Sequence, residues 1–406
     1  MIKTKSLSSR KILLPIGIIS MLFAGILYAW SILKAPLASE FGWGAEALAL
    51  NFTLTMTFFC IGGFLGSQIT KKIGTQLSVI LSGILTGLGF ALTGFSTGNI
   101  IVLYITYALM AGLGIGISYN VIISTVNAWF PDKKGLCSGC LMMGFGASSL
   151  ILGKFAEKMF ASETIGWRNA FLIIGIVLGI VLIISGLFIK RPDPSVQFPA
   201  PKTVKKKHSE DFEIKDFTSK EMLKRASFWK AFLALICLTA VGSSVISFAK
   251  DLAISVGAES ATASTLVGVL SIFNGLGRIL TGALFDNIGR KKTMITANII
   301  TVIAAVVVLI SVTTNSVVIC IIGLCLTGLS YGASPTVSAA FTSAFYGTKY
   351  YQTNFSIMNF NLIFASFIAT VSSNLLVATN GYTVPFILLT ALSAIAFILN
   401  ISIKRP

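Results

Sequence analysis

The chain has 406 residues, 55% of them hydrophobic and only 11% charged, with a mean hydropathy of +0.88. Soluble domains carry about 25% charged residues, so a soluble fold is excluded and an integral membrane protein with many spans is indicated. The formal net charge of +17 would suggest nucleic acid in a soluble chain. Here the basic residues sit in short loops between apolar runs, where they set membrane orientation, and no nucleic-acid partner is expected.

The basic N-terminal segment MIKTKSLSSRK runs into an apolar stretch from Ile12 to Leu33. That exceeds the roughly 7–15 residues of a signal-peptide core, so it is expected to remain as the first span. A span needs roughly 20 apolar residues. On that ruler twelve are predicted, near 12–34, 48–70, 76–96, 100–128, 136–160 and 168–190, then 228–250, 262–285, 293–313, 316–345, 354–379 and 383–403. The class is all-α, because over runs this long only helices satisfy their own backbone in lipid. The expected organisation is a six-helix bundle over 1–190, a cytoplasmic linker over 191–227 and a second six-helix bundle over 228–406.

Alternate loops differ in charge. One set carries Lys71 and Lys72; Lys133 and Lys134; Lys190 and Arg191; Arg290, Lys291 and Lys292; and Lys404 and Arg405. The loops at 96–99, 313–316 and 379–381 carry no basic residue. This alternation places both termini in the cytoplasm of a multi-pass cell-membrane protein. The segment from Pro192 to Ser227 is rich in Lys, Pro, Asp and Glu and reads as a tether. A surface helix is expected within it, with Phe212, Ile214, Phe217, Met222 and Leu223 as its apolar contacts. The alternative is a lipid-headgroup contact at Lys205-Lys206-Lys207.

The halves echo each other. Lys71-Lys72-Ile73-Gly74 follows the second span, and Asp286-Asn287-Ile288-Gly289-Arg290-Lys291-Lys292 follows the eighth. Gly116-Ile117-Ser118-Tyr119 in the fourth span matches Gly328-Leu329-Ser330-Tyr331 in the tenth. Two similar six-span halves are what a rocking, alternating-access transporter needs.

Arg278 is the residue that composition explains least. It stands inside an apolar, glycine-rich run about seven residues from the end of its span, so roughly 10 Å deep at about 1.5 Å per residue. Intramembrane charge costs about 2.5–3.5 kcal/mol on insertion scales and usually serves a function. A guanidinium matches a carboxylate with two parallel hydrogen bonds, so Arg278 is expected to hold an anion. The competing expectation is that it snorkels to the membrane edge. Asn274, one turn earlier on the same face, would take a hydroxyl or the second carboxylate oxygen. Tyr28, Tyr119, Asn120, Tyr331 and Asn361 are the further substrate-binding candidates. Trp30 and Asn359 belong to the same polar and aromatic set, and for each residue alone packing is the competing role.

All fourteen Asp and Glu fall in loops or at span ends. Proton-coupled carriers often relay through buried carboxylates, so any proton here would travel with the substrate, and anion exchange would need no titrating residue. Cys137 and Cys140 have metal or redox spacing, but no second pair or nearby His completes a zinc site. No phosphate-cradling loop and no nucleophile–base set appears. Neither a cofactor, a metal nor an enzymatic activity is expected.

The run Gly282-Ala283-Leu284-Phe285-Asp286-Asn287-Ile288-Gly289-Arg290-Lys291 resembles the loop signature of the major facilitator superfamily. That resemblance assigns Asp286 and Arg290 to a cytoplasmic latch. The first-half copy departs from it, with Lys71 at the acid's position. A finer resemblance lies in Ala128-Trp129-Phe130-Pro131-Asp132-Lys133-Lys134-Gly135-Leu136, Gly166-Trp167-Arg168 and Phe273-Asn274-Gly275. These are similar to the oxalate/formate antiporter family and its monocarboxylate-carrying relatives. The resemblance implies that Arg278 binds the substrate carboxylate and that Tyr28 and Tyr119 line the cavity. Oxalate carriers add a lysine on the eleventh helix, where Leu362 stands here, and no Lys or Arg lies between 354 and 379. The expected function is secondary transport of small organic anions, most of all monocarboxylates of the lactate, pyruvate or formate type, with proton symport or anion exchange, by a monomer. The alternatives are a dicarboxylate:monocarboxylate antiporter and a membrane sensor that has lost transport.

Overall fold

The computed structural model describes residues 2–193, 195–196, 198 and 215–404. Lys205 to His208, Phe212 and Ile214 lie outside the described residues. α1 (Ile2–Ala24) passes through a 3-10 turn, Gly25–Ala29, into α2 (Trp30–Phe41). α3 (Ala45–Thr93) follows. α4 (Ile100–Leu103), a π-helical stretch (Tyr104–Ala111) and α5 (Gly112–Ala128) then form one continuous crossing. α6 (Lys134–Phe160) and α7 (Gly166–Phe188) close the first half. A short α8 (Ser219–Leu223) precedes α9 (Ala226–Ser255), α10 (Ser260–Ile288), α11 (Arg290–Thr314) and α12 (Val317–Tyr346). α13 (Tyr351–Met358) and α14 (Asn361–Thr379) share a crossing, and α15 (Thr383–Ile401) is the last.

Eleven described helical runs are long and apolar enough to cross a membrane. One of them, Glu46–Thr93, has 48 residues, about 72 Å of helix at about 1.5 Å per residue, against a hydrocarbon core of about 30 Å. It turns at Gly74, whose backbone is non-helical at φ 83° and ψ 171°, and so supplies two crossings, giving twelve. Gly289, between α10 and α11, has nearly the same conformation, φ 76° and ψ 171°. Only glycine adopts it without strain, and the two positions are the turns of the paired loop motifs. Helix packing repeats the pairing. A Cβ at Gly62 would sit 2.3 Å from the Leu113 carbonyl oxygen, and one at Gly277 would sit 2.3 Å from that of Leu329. α3 therefore meets α5 as α10 meets α12, backbone against backbone, as small residues allow in membranes.

The outer surface is apolar. α7 exposes Ile173, Ile176, Val177, Ile180, Ile184 and Leu187, and α15 exposes Ile387, Ile395 and Ile398. In lipid these faces are solvated. Inside, Phe90, Tyr107 and Phe171 anchor the first-half core, and Phe341, Phe345 and Phe386 anchor second-half clusters. Small polar side chains bridge the halves: Ser149 and Ser271 hydroxyls are 2.9 Å apart, and those of Thr53 and Thr370 are 3.3 Å apart.

Two spans expected to be continuous are interrupted. In the first, the chain tightens into the 3-10 turn where Gly25 meets α6, a Cβ there falling 2.0 Å from the Phe145 carbonyl oxygen. In the eleventh, the Asn359 carbonyl accepts from the Cys60 thiol at 3.2 Å and from the Leu362 amide at 3.0 Å. That i→i+3 bond replaces the usual α-helical one and separates α13 from α14. The linker also differs from a bare tether at its end. Asp216 accepts from the Thr348 and Lys349 amides at 2.8 and 3.0 Å. Phe217 and Met222 are buried, whereas Leu223 is exposed.

Candidate functional site

Arg278 does not snorkel. It is 0% exposed, and its contacts come from α10, α6, α12 and the 3-10 turn Gly25–Ala29. Nε donates to Asn274 Oδ1 at 3.1 Å, one turn back on α10, and Nη1 donates to the Met142 carbonyl on α6 at 2.7 Å. The guanidinium carbon lies 5.7 Å from the Tyr28 ring centroid, within cation–π range. Gly146 makes the room: a Cβ there would lie 3.1 Å from Nε and 3.3 Å from Cζ. From α12, the Thr336 hydroxyl donates to the Arg278 carbonyl at 3.4 Å.

Every one of these partners is neutral. Among the described residues no acidic side chain forms an ion pair with Arg278. Its Nη2 is buried and makes no hydrogen bond. A buried donor left unsatisfied costs about 1–3 kcal/mol, and an unpaired buried ion costs several. The arrangement is therefore a positive charge with one face held by the protein and one donor uncommitted.

An aromatic wall adjoins it. Tyr331 donates to the Tyr28 hydroxyl at 3.3 Å, and Tyr28 meets the Phe145 ring edge-on at 5.2 Å. Phe145 in turn meets Tyr119 at 5.1 Å. The structure thus gathers Arg278, Asn274, Tyr28 and Tyr331, with Tyr119 one ring further. Two expected site residues make hydrogen bonds away from Arg278. Asn120 Nδ2 donates to the Gln352 carbonyl at 3.2 Å, while its buried Oδ1 has no hydrogen-bond partner. Asn361 Nδ2 donates to the Met358 carbonyl at 2.6 Å, and its Oδ1 accepts from Thr239 at 3.4 Å. Asn359 Oδ1 accepts from Ser338 at 3.3 Å. Trp30 packs inside the first half, donating to the Leu48 carbonyl.

Sequence reasoning named no site residue on α6, yet α6 supplies Met142, Phe145 and Gly146. The glycines at 139, 144 and 146 were the available signal: the first and last face Arg278, and Gly144 faces Ile18 of α1. Where α10 ends, Asp286 accepts from the Gly135 and Leu136 amides at 3.3 and 3.0 Å. It sits at the start of α6, where a carboxylate is favoured by the helix dipole. The Arg290 guanidinium lies 4.3 Å from the Phe345 ring centroid.

The sequence profile of the Major Facilitator Superfamily matches residues 13–255 and 235–406. The chain is 28% identical over 292 residues to the oxalate:formate antiporter of Oxalobacter formigenes, covering 72% of this chain and 67% of that protein. It is 30% identical over 292 residues to the uncharacterized MFS-type transporter YhjX of Escherichia coli, covering 71% and 69%. A third relative, monocarboxylate transporter 12 of Xenopus laevis, is 25% identical over 240 residues, covering 56% and 52%. Among solved structures the fold matches the proton:xylose symporter XylE with a TM-score of 0.75 at 13% identity, over 99% of this chain and 97% of that one. It also matches FucP in the outward conformation with a TM-score of 0.67 at 14% identity, over 97% and 99%.

Proposed function

Because this chain belongs to the Major Facilitator Superfamily and, within it, to the oxalate/formate antiporter-like family, we propose that its cargo is a small monocarboxylate of the lactate, pyruvate or formate type, held at Arg278 during alternating access. The observation that carries this is the buried guanidinium with only neutral partners and one uncommitted donor. A carboxylate there would supply the missing charge and the missing acceptor at once. Asn274 and Met142 fix the fork, Tyr28 covers its face, and Tyr331 offers a hydroxyl beside it.

One cation suits one carboxylate. Between 354 and 379 there is no Lys or Arg, and Leu362 packs as a partly buried apolar residue. In this reading the chain sits in the cell membrane as a monomer with both termini in the cytoplasm. The halves 1–190 and 228–406 rock about the site, and Asp286 with Arg290 latches the cytoplasmic end. Among the described residues no acidic side chain hydrogen-bonds to or pairs with Arg278 to relay a proton, so coupling comes through a proton carried with the substrate or through exchange of one anion for another.

A panel of radiolabelled acids taken up into proteoliposomes at two pH values tests this. Lactate, pyruvate or formate should enter saturably. A protein that takes up none of them yet exchanges external formate for preloaded oxalate would instead be a dicarboxylate:monocarboxylate antiporter. No transport and no binding of any acid would leave a sensor.

A further inference from the structure

The Arg278 layer does not end at Tyr119. Tyr119 stacks on Phe355 with ring centroids 6.3 Å apart, and Phe355 stacks on Tyr351 at 5.4 Å and an interplanar angle of 5°. Together with Tyr28 and Phe145, these rings form an unbroken file that crosses from the 3-10 turn after α1 and from α6 through α5 to α13. At its far end is a cavity of about 80 Å³ between the halves, lined by Ser124, Asn127, Ser138, Ser343, Thr348 and Tyr351 among others. Its depth follows from helix register. Ser138 is four residues before Met142, and Ser343 is seven beyond Thr336, both of which touch Arg278. At about 1.5 Å per residue the cavity lies roughly 6–10 Å from the guanidinium, toward the end where Asp286 meets α6.

The lining is mostly apolar surface, including Ala128, Ala339 and Ala340; its polar groups are hydroxyls and the Asn127 amide, and none of the lining side chains is ionised. Asn127 is 6% exposed and donates through Nδ2 to Ser138 Oγ at 2.7 Å, while its buried Oδ1 has no hydrogen-bond partner. A buried amide oxygen without a donor costs free energy, and the hydroxyls around it can turn to donate or accept. A cavity of about 150 Å³ holds benzene, six carbons, so this one takes roughly three heavy atoms, the size of a carboxyl head group.

We propose that this cavity is a second station for the transported acid, a charge-free one that holds its head group through Asn127 and the surrounding hydroxyls between Arg278 and the basic-loop end. It rests on the transport reading above. The chemistry of the two stations differs. Arg278 prefers the ionised carboxylate, whereas the neutral station offers an acceptor to an acid O–H or an α-hydroxyl. A ligand leaving a strong cation then meets a weaker polar site before bulk water, which favours release toward that side.

The test uses labelled lactate with the full chain in oriented vesicles, measuring KM from each face for the wild type, Asn127→Leu, Ser343→Leu and Arg278→Ala. Ser343 is only partly buried, so its variant guards against a folding defect at Asn127, and thermal unfolding checks both. The expected result is a KM raised about tenfold from the basic-loop face in both cavity variants, with less than a twofold change from the opposite face. Equal changes at both faces, or none, in folded variants would overturn the second station while leaving Arg278 untouched. Undiminished transport by Arg278→Ala would instead overturn the parent reading.

Discussion

At Arg278 the protein holds a full charge in a dry place with a carbonyl, an amide and a ring. Such a site is stable enough to fold and still short of one partner, which is the condition for binding an anion reversibly. Asn274 fixes the fork through Nε. A hydrogen bond to a charged group contributes about 1.5–3 kcal/mol, and tenfold in affinity corresponds to about 1.4 kcal/mol. Asn274→Ala should therefore raise KM for lactate by about tenfold or more in an uptake assay, and should also lower the Tm, because it leaves the buried Nε without an acceptor. Arg278→Lys keeps the charge but loses the planar fork; kcat/KM should fall about a hundredfold. The charge itself was legible in the sequence, because an ionised residue in an apolar run has few explanations. Met142 was not. Its role belongs to a backbone carbonyl, which leaves no trace in residue type, and Phe145 and Gly146 read as ordinary membrane packing until their neighbours are known. Asn361 shows the reverse case: a polar residue near the right depth whose hydrogen bonds go elsewhere.

The α6 start shows how one element couples the halves. Asp286 of the second half accepts two amides at the first turn of a first-half helix. A carboxylate in that place contributes about 0.3–1 kcal/mol beyond its hydrogen bonds. Asp286→Asn should therefore populate the state open at this end a few-fold more. Maleimide labelling of Ser343→Cys, in a background without the native cysteines, should quicken by that factor. At α8 the cap gives a pH prediction. Thr218 donates its amide and hydroxyl to Glu221 at 2.8 and 2.9 Å, and these two bonds hold the Glu221 carboxyl below its ordinary range. A depressed carboxylate stabilises the fold above its unfolded pKa of about 4.3, and that contribution is lost as the pH falls through the lower folded value. Amide exchange over 218–223 should accelerate in that window; Thr218→Ala, which keeps the amide bond and loses the hydroxyl, should weaken the pH dependence, and Glu221→Gln should remove it. The helix itself was expected from composition. Its docking through Asp216 onto the turn before α13 was not, because that contact joins positions more than 130 residues apart.

Over the whole molecule the contacts close both ends of the central seam at once: Thr53 with Thr370 at one end, and Asp286 with the α6 start at the other. Transport requires these to open in turn. A Thr53→Cys/Thr370→Cys pair should cross-link under oxidation and stop uptake, and reduction should restore it. The twelve crossings were legible because lipid demands about 20 apolar residues for each, and the paired glycine turns marked the repeat. The breaks at 25–29 and at 359–360 were not, because they follow from contacts with Phe145 and Cys60 across the fold. The most direct measurement is thermal unfolding of the purified protein with lactate or with lactamide, its uncharged analogue, for the wild type and Arg278→Gln. At a hundredfold excess over Kd, binding to the folded state adds about 2.7 kcal/mol. Lactate alone should raise the Tm, and only in the wild type. Equal stabilisation by lactamide, or an undiminished lactate effect in Arg278→Gln, would contradict a carboxylate held by this arginine.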